Sequence, residues 1–328
     1  MAGAQPQTLQ DDHRTVREAC GLIDRSERGK LALSGPDAGE FLGGQVTNEV
    51  ASLRPGEGRY AAFLTHKGKM LGDMRVIAVG PDPDGPPAEL LLDTERSTLQ
   101  ALFDMIRRFK VGFQAELHKR TLERGLLSLL GPGSQAVAGA EGLGAEEHSS
   151  AAVEIEGLAV LAIRTDIGVD LLCDAEDTDA LIAVLRARGA EPVSQEAAES
   201  LRIEHGRPRY GIDLDDSVIP QEAGLNERAV SFTKGCYVGQ ETVARLHWKG
   251  KPNRHLRGLR LSEPVEAGAE LRLGERVVGT LSSVTVSPLH GPIGLALLRR
   301  EAEPGASVHV GEDGASGEVV ELPFAARP

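Results

Sequence analysis

Six short runs of strand-forming residues, LRGLRLS, AELRL, RVVGTLSSVTVS, IGLALLR, SVHV and SGEVVEL, fill the chain from about residue 256 onward, with glycine or proline turns between them and no helical pattern. Consecutive strands with no helix to cover their edges pair antiparallel. Closing six or so of them into a small barrel removes the free edges. A C-terminal β-barrel is therefore predicted over 251–328, with the boundary near Lys251–Asn253, and residues 8–250 are predicted to form a separate region of two interleaved lobes.

Upstream, strands come in pairs or threes before each helix. KLALS (30–34) leads through SGPDAGEFLGG into a helix with Ser34 or Asp37 as its cap. RYAAFLT (59–65) and MLGDMRVIAV (70–79) flank HKGK and read as a hairpin. AELLLD adds a strand, and 94–109 carries Leu99, Leu102, Phe103, Ile106 and Phe109 on one face of an amphipathic helix. The order then repeats: a strand at GLLSLLG, a short helix at GSQAVAGA, a hairpin turning at Glu156–Gly157, and a strand at GVDLLCD. Helices follow over 175–189, ended by Gly189, and over 194–206, capped by Ser194; another is predicted at 8–23. Strands alternating singly with helices would build a doubly wound parallel sheet. This grouping predicts α+β with antiparallel sheets.

Composition bounds the rest. A chain of 328 residues has room for two or three structural units. No apolar run approaches the roughly 18–20 residues that span a bilayer, so no membrane partner is expected. The start MAGAQPQTLQDDHRTVREA lacks a secretory pattern, and three scattered cysteines, Cys20, Cys173 and Cys236, fit a reducing, cytoplasmic setting. A formal charge of −13 disfavours bulk binding to phosphates. Neither a phosphate-binding loop nor a metal-ligand spacing of Cys or His occurs, so no metal ligand is assigned.

Two stretches carry chemistry. In TKGCYVGQETVAR (233–245), Gly235 and Gly239 let the backbone turn sharply around Cys236 and Tyr237, and Lys234 places an ammonium where it would favour a thiolate. Cys236 then reads as a solvent-reachable, reactive thiol in a loop fixed by Gln240 and Glu241, or else as a packed small apolar residue. Cys20 and Cys173 read as core. Residues 242–262 hold six Lys or Arg, two His and the single Trp, with no acid. Residues 245–260 are thus either an anionic contact, for a polyglutamate tail, an acidic protein or tRNA, or a solvated linker.

The segment 201–246 arranges R-I-E-x-G-x-P, Y-G-x-D, P-Q-E-A-x-L and K-G-C-Y-x-G-Q-E in that order. In this it resembles the YgfZ family of folate-binding proteins, relatives of the glycine-cleavage T-protein, the aminomethyltransferase. GLIDRSERGKLALSGPDAGEFL and TNEVASLRPGEGRYAAFLTHKGKML are similar to the superfamily's amino-terminal half, and PIGLALLRREAEPGASVHV to the end of its barrel, so the resemblance runs from about 16 to 312. It implies a three-lobed ring, two α+β lobes and a β-barrel, around a central channel that accepts tetrahydrofolate or a derivative. It further implies support of the assembly or repair of iron–sulfur enzymes, tRNA-modifying ones included, with iron–sulfur client or assembly proteins as partners. A stably bound cluster is not expected, since clusters are usually held by four cysteines.

Carried over residue by residue, the resemblance makes Glu204 the carboxylate that accepts both donors on one pterin edge. The other reading is a helix-end glutamate paired with Arg202 or Arg207. Asp93 falls where the T-protein has a pterin-contacting asparagine, or else caps the helix after it. Tyr60 falls where the superfamily has a channel tyrosine. Cys236 would face the same channel. Asp73 matches one of two adjacent T-protein aspartates, the other being replaced by Gly72, so aminomethyl transfer is not carried over. The leading expectation is a folate-binding accessory protein without turnover of its own, and the alternative is a folate-dependent aminomethyl or one-carbon transferase using Asp73.

Overall fold

The computed structural model describes residues 8–312 and 314–325. Its first sheet has strand order Gly58–Leu64, Met70–Val79, Glu89–Thr94, Gly29–Ser34, Glu116–Lys119, all antiparallel. Alternation along Met70–Val79 shows why the sheet sits where it does. Met74, Val76 and Ala78 join Phe63, Leu31 and Leu33 on the outer face, and pack beneath helices Ala38–Gly43 and Leu99–Phe109 through Phe41, Leu42, Leu102 and Ile106. Asp73, Arg75 and Ile77 take the opposite face, as the two-residue period of a strand requires.

The second sheet runs Glu191–Pro192, Gly21–Asp24, Arg124–Leu130, Gly168–Asp174, Leu158–Arg164, Ser150–Ile155. Only its first pair is parallel. Leu127, Leu129, Val169, Leu171 and Cys173 cover its outer face beneath helices Ser134–Ala138 and Thr178–Ala187. The inner faces of the two sheets meet through Ala32, Ile77 and Leu91 against Leu126, Ile163 and Leu172. The result is a helix–sheet–sheet–helix sandwich whose middle seam is apolar at one end.

The barrel closes in the order Arg254–Leu261, Gly291–Arg299, Arg276–Ser287, Glu270–Leu273, Ser307–Val310, Ala315–Val320, around Leu259, Leu271, Leu281, Leu298 and Val319. Helix Gln195–Glu204 joins the second lobe to the barrel. Ser194 Oγ caps it by accepting the Ala197 N–H at 3.2 Å. Leu201 faces the second lobe, where it clusters with Leu130, and Ile203 faces barrel residues Ile293 and Leu295. Among the described residues no helix is long and apolar enough to cross a membrane.

The antiparallel grouping, the hairpin at Glu156–Gly157 (φ 50° and 85°) and the six-stranded barrel follow the expectations. Helix 8–23 does not run its full length: it is Leu9–Glu18, and Gly21–Asp24 turns back as a strand of the second sheet. A Cβ at Gly21 would stand 2.7 Å from Val16 Cγ1, so the reversal needs glycine there. Helix 94–109 begins only at Leu99, because Thr94 stays in its strand with its hydroxyl on the Asp73 carbonyl at 2.6 Å. Asp37 stands at the N-cap position of Ala38–Gly43, yet its carboxylate accepts the Gln114 N–H, at 2.7 Å. Helix Gln240–Lys249 was not predicted; only Val243 in it is buried, so no apolar stripe marks it.

Candidate functional site

Strand register gathers the polar residues. Tyr60 pairs with Arg75, Arg75 with Asp93, and Asp93 with Lys30; Ala62 pairs with Asp73. Cross-strand partners share a face, so Tyr60, Asp73, Arg75 and Asp93 all project toward the second sheet. There Ser128 and Asp170, also paired, project back. Past the apolar end of the seam, Tyr60, Asp73, Arg75 and Asp170, the loops around 147 and 166, and helix residues Ala198, Leu201, Arg202 and His205 enclose a cavity of about 180 Å³.

The wall carries seven arginines (Arg25, Arg28, Arg75, Arg202, Arg207, Arg209, Arg228) against five carboxylates (Asp73, Glu95, Glu147, Asp166, Asp170). Arg75 ties the sheets together, donating to Asp93 Oδ2 and to Asp170 Oδ2, both at 2.6 Å, while Ser128 Oγ donates to Asp170 Oδ1 at 2.6 Å. Arg28 donates to Asp93 Oδ1 at 2.8 Å and to Glu95. Burial alone would push the Asp93 carboxyl up, but the two guanidinium groups hold it well below the usual range. Arg207 Nε meets Asp166 Oδ2 at 2.6 Å, Arg228 is held by Glu147, and Arg202 meets Asp213 at 2.8 Å. Among the described residues Arg25 has no hydrogen-bonded carboxylate; burial lowers its pKa, with Asp170 opposing.

Asp73 is the opposite case. It is buried, and burial raises its pKa from 3.8 to about 6; the Tyr60 hydroxyl opposes the rise and Glu95 adds to it. A carboxyl poised near neutrality on a cavity wall can take up and return a proton under physiological conditions.

Of the residues singled out in the sequence, Tyr60 and Asp73 line this cavity. Asp93 lies one layer behind, with both oxygens engaged by Arg28 and Arg75; it neither caps the next helix nor reaches the cavity. Glu204 also departs from expectation. It points away from the cavity-facing side of its helix and accepts from His13 Nε2 at 2.8 Å and Ser287 Oγ at 2.5 Å, joining the first helix to the barrel. Neither Arg202 nor Arg207 is its partner. Gly72 points into the outer core, where a Cβ would lie 2.6 Å from the Phe63 ring.

The 233–245 stretch sits outside the cavity wall. Cys236 is exposed, and Cys20 and Cys173 are buried. The Lys234 ammonium turns away to the carbonyls of Gly43, Val46 and Asn48, at 2.6, 2.8 and 2.8 Å. Those bonds use its three donors, which corrects the expected pairing with the thiol. Burial lowers the Lys234 pKa to about 8, with Glu49 opposing. Tyr237 is buried beside Leu64 and Met70. Gly239, at φ 85°, would place a Cβ 2.6 Å from the Thr65 carbonyl and so is required; Gly235 has open space around it. Gln240 Nε2 reaches the Gly235 carbonyl only at 3.5 Å, and the exposed Glu241 sits in the first turn of its helix, where it suits the helix dipole. The basic run is divided. Arg254 is bound to Glu222 at 3.0 Å and Arg257 to Glu321 at 2.9 Å, while Arg245, Trp248 and Lys249 are exposed on the helix.

Sequence reasoning missed Arg25, Asp166, Arg228, His148 and Thr165 on the wall. They come from loops and, for Arg228, the short helix Asn226–Ala229, scattered over 200 residues, and only the R-x-x-R of Arg25 and Arg28 offered a local signal.

Residues 4–234 match the family described as the GCVT N-terminal domain. The chain is 30% identical over 334 residues to an aminomethyltransferase of Mycobacterium tuberculosis, covering 96% of this chain and 88% of that protein. It is also 30% identical over 340 residues to an aminomethyltransferase of Geobacillus kaustophilus, covering 98% and 91%. The crystal structure of the glycine cleavage system aminomethyltransferase T from Bartonella henselae superposes with a TM-score of 0.85 at 25% identity, over 98% of this chain and 91% of that one.

Proposed function

Since the chain belongs to the GCVT N-terminal domain family and has the aminomethyltransferase fold, we propose that its cavity binds tetrahydrofolate or a derivative and serves a folate-dependent one-carbon transfer. The observation that carries this is Asp73, buried on the cavity wall beside Tyr60 with a pKa raised to about 6. The wall suits the ligand: among the described residues His148 and Thr165 bring buried polar atoms without protein partners, and Arg25 a guanidinium with no hydrogen-bonded carboxylate. A volume of about 180 Å³ is below the 300–1,000 Å³ of sites that engulf a drug-sized ligand, so the bicyclic ring enters and the tail lies toward the mouth. The excess of arginine there favours an anionic tail.

Tetrahydrofolate, when bound, supplies the ring nitrogens that take up a one-carbon unit. Asp73 accepts a proton as that unit changes hands and returns it afterwards, with Tyr60 keeping the carboxylate oriented. Arg28 and Arg75, themselves anchored by Asp93, keep the site positive. The glycine at 72 is no obstacle: adjacent strand residues face opposite sides, so a carboxylate there would meet the Phe63 ring and not the cavity.

A second reading, a folate-binding accessory protein for iron–sulfur enzymes, is favoured by the exposed Cys236 away from the cavity wall, where it is free to meet another protein. Anaerobic titration with tetrahydrofolate followed by an assay of methylene transfer from an aminomethyl donor separates the two. Saturable binding with transfer lost in Asp73→Asn supports the transferase; binding with no transfer by wild type leaves the accessory role; no binding overturns both.

A further inference from the structure

His148 is 5% exposed and lines the cavity, yet neither ring nitrogen has a hydrogen-bond partner among the described residues. Glu147 Oε1 is 3.6 Å from Nε2, beyond bonding distance, and its carboxylate is held by Arg228. Buried polar groups are nearly always paired, so two orphan nitrogens on one ring need a reason. The backbone adds a second anomaly: His148 has φ 71°, a left-handed conformation that a non-glycine residue rarely adopts and that clusters at functional sites. The neighbouring strand also makes room for it. A Cβ at Gly58 would lie 2.5 Å from the His148 carbonyl oxygen and 2.9 Å from its Cβ. The fold thus places a strained residue against the cavity without using its side chain for any hydrogen bond of its own. The hydroxyl of Thr165, on the same wall, is likewise buried and unpartnered.

We propose that His148, together with Thr165, is a recognition residue of this cavity that grips an edge of a bound heteroaromatic ring bearing both a hydrogen-bond donor and an acceptor, such as a ring amide. This rests on the folate reading and specifies which residues select the ring. Burial, with Arg75 and Arg228 adding to it, lowers the His148 pKa to about 3, so the imidazole is neutral. A neutral imidazole offers one donor and one acceptor, and a hydroxyl offers both. The ligand edge satisfies groups that otherwise stay unpaired, and those groups reject a ring whose edge is apolar.

The test titrates tetrahydrofolate anaerobically into wild type, His148→Phe, His148→Asn and Thr165→Val, with thermal unfolding of each ligand-free protein alongside. His148→Phe removes polar atoms that have no partner among the described residues but puts a less tolerated side chain at φ 71°. It should therefore unfold no more than a few degrees earlier than wild type while binding about ten- to a hundredfold more weakly. His148→Asn keeps a donor and an acceptor and tolerates the left-handed backbone, so it should bind within about fivefold of wild type. Thr165→Val keeps the shape and should lose about three- to tenfold. If wild type binds and His148→Phe binds equally well, the inference fails while the folate reading stands. A marked loss of stability in His148→Phe would assign the ring a structural role and overturn the inference as well. If wild type does not bind tetrahydrofolate, both fall.

Discussion

Asp73→Asn should make this protein more stable at neutral pH while removing its function. In the folded chain the Asp73 carboxyl has a pKa of about 6, raised from 3.8 by burial on the inner face of the first sheet. A raised carboxyl pKa means that the folded state holds its proton more tightly than the unfolded chain does. Below about pH 4 both states are protonated and the group costs nothing. As pH rises through 4 to 6 the unfolded chain ionises first, and above about 6 the folded state carries a buried carboxylate. The span from 3.8 to about 6 corresponds to about 2–3 kcal/mol of stability lost by neutral pH. Asparagine never ionises and retains a hydrogen-bonding group for Tyr60. Urea denaturation should therefore show Asp73→Asn more stable than wild type by about 2–3 kcal/mol at pH 7.5, with the gap closing toward zero at pH 4. Loss of the acid–base group should lower one-carbon transfer by about 10²–10⁴-fold with folate affinity nearly unchanged. A variant less stable than wild type at pH 7.5, or a gap that ignores pH, refutes the assignment of Asp73 as a carboxyl strained by burial.

Other residues give separate outcomes. Arg75→Met leaves Asp93 and Asp170 facing each other across the sheets and should cost about 3–5 kcal/mol in denaturant; combining it with Asp170→Asn should restore part of that loss, and strict additivity would contradict the coupling. Glu204→Gln weakens the bonds from His13 and Ser287 and should cost about 1–3 kcal/mol, with folate affinity unchanged. Burial would raise the Glu204 pKa, but those two bonds bring it below the ordinary value; its contribution is present above about 4.5 and fades as pH falls through the lowered folded pKa. A large drop in folate affinity instead would return Glu204 to the ligand site. Native alkylation should modify one of the three thiols, Cys236, and none in Cys236→Ser, since Cys20 and Cys173 are buried and burial raises the pKa of both. Modification of two or more thiols in native wild type would contradict that burial.

The elements of this protein are largely written in local pattern. The two-residue period of MLGDMRVIAV sends Met74 and Val76 to one side and Asp73 and Arg75 to the other, and the run of helix-free strands after residue 256 can hide its edges only by closing. The Gln240–Lys249 helix escaped because a helix that buries little displays no stripe. Tyr60 and Asp73 were legible through the resemblance and do line the cavity.

Which partners each carboxylate meets was decided only in three dimensions. Asp73, Asp93 and Glu204 look alike in sequence, as single acids at strand or helix positions. Their partners stand far away along the chain: Asp93 meets Arg28 from 65 residues off, and Glu204 meets His13 from 191. A carboxylate with cationic or hydrogen-bond partners becomes a clamp. One that is buried beside a tyrosine, with no cation directly bonded to it among the described residues, holds its proton more tightly. Periodicity fixes which face a side chain takes, because backbone geometry is local; charge is decided by distance through space, which only the packed sheets set.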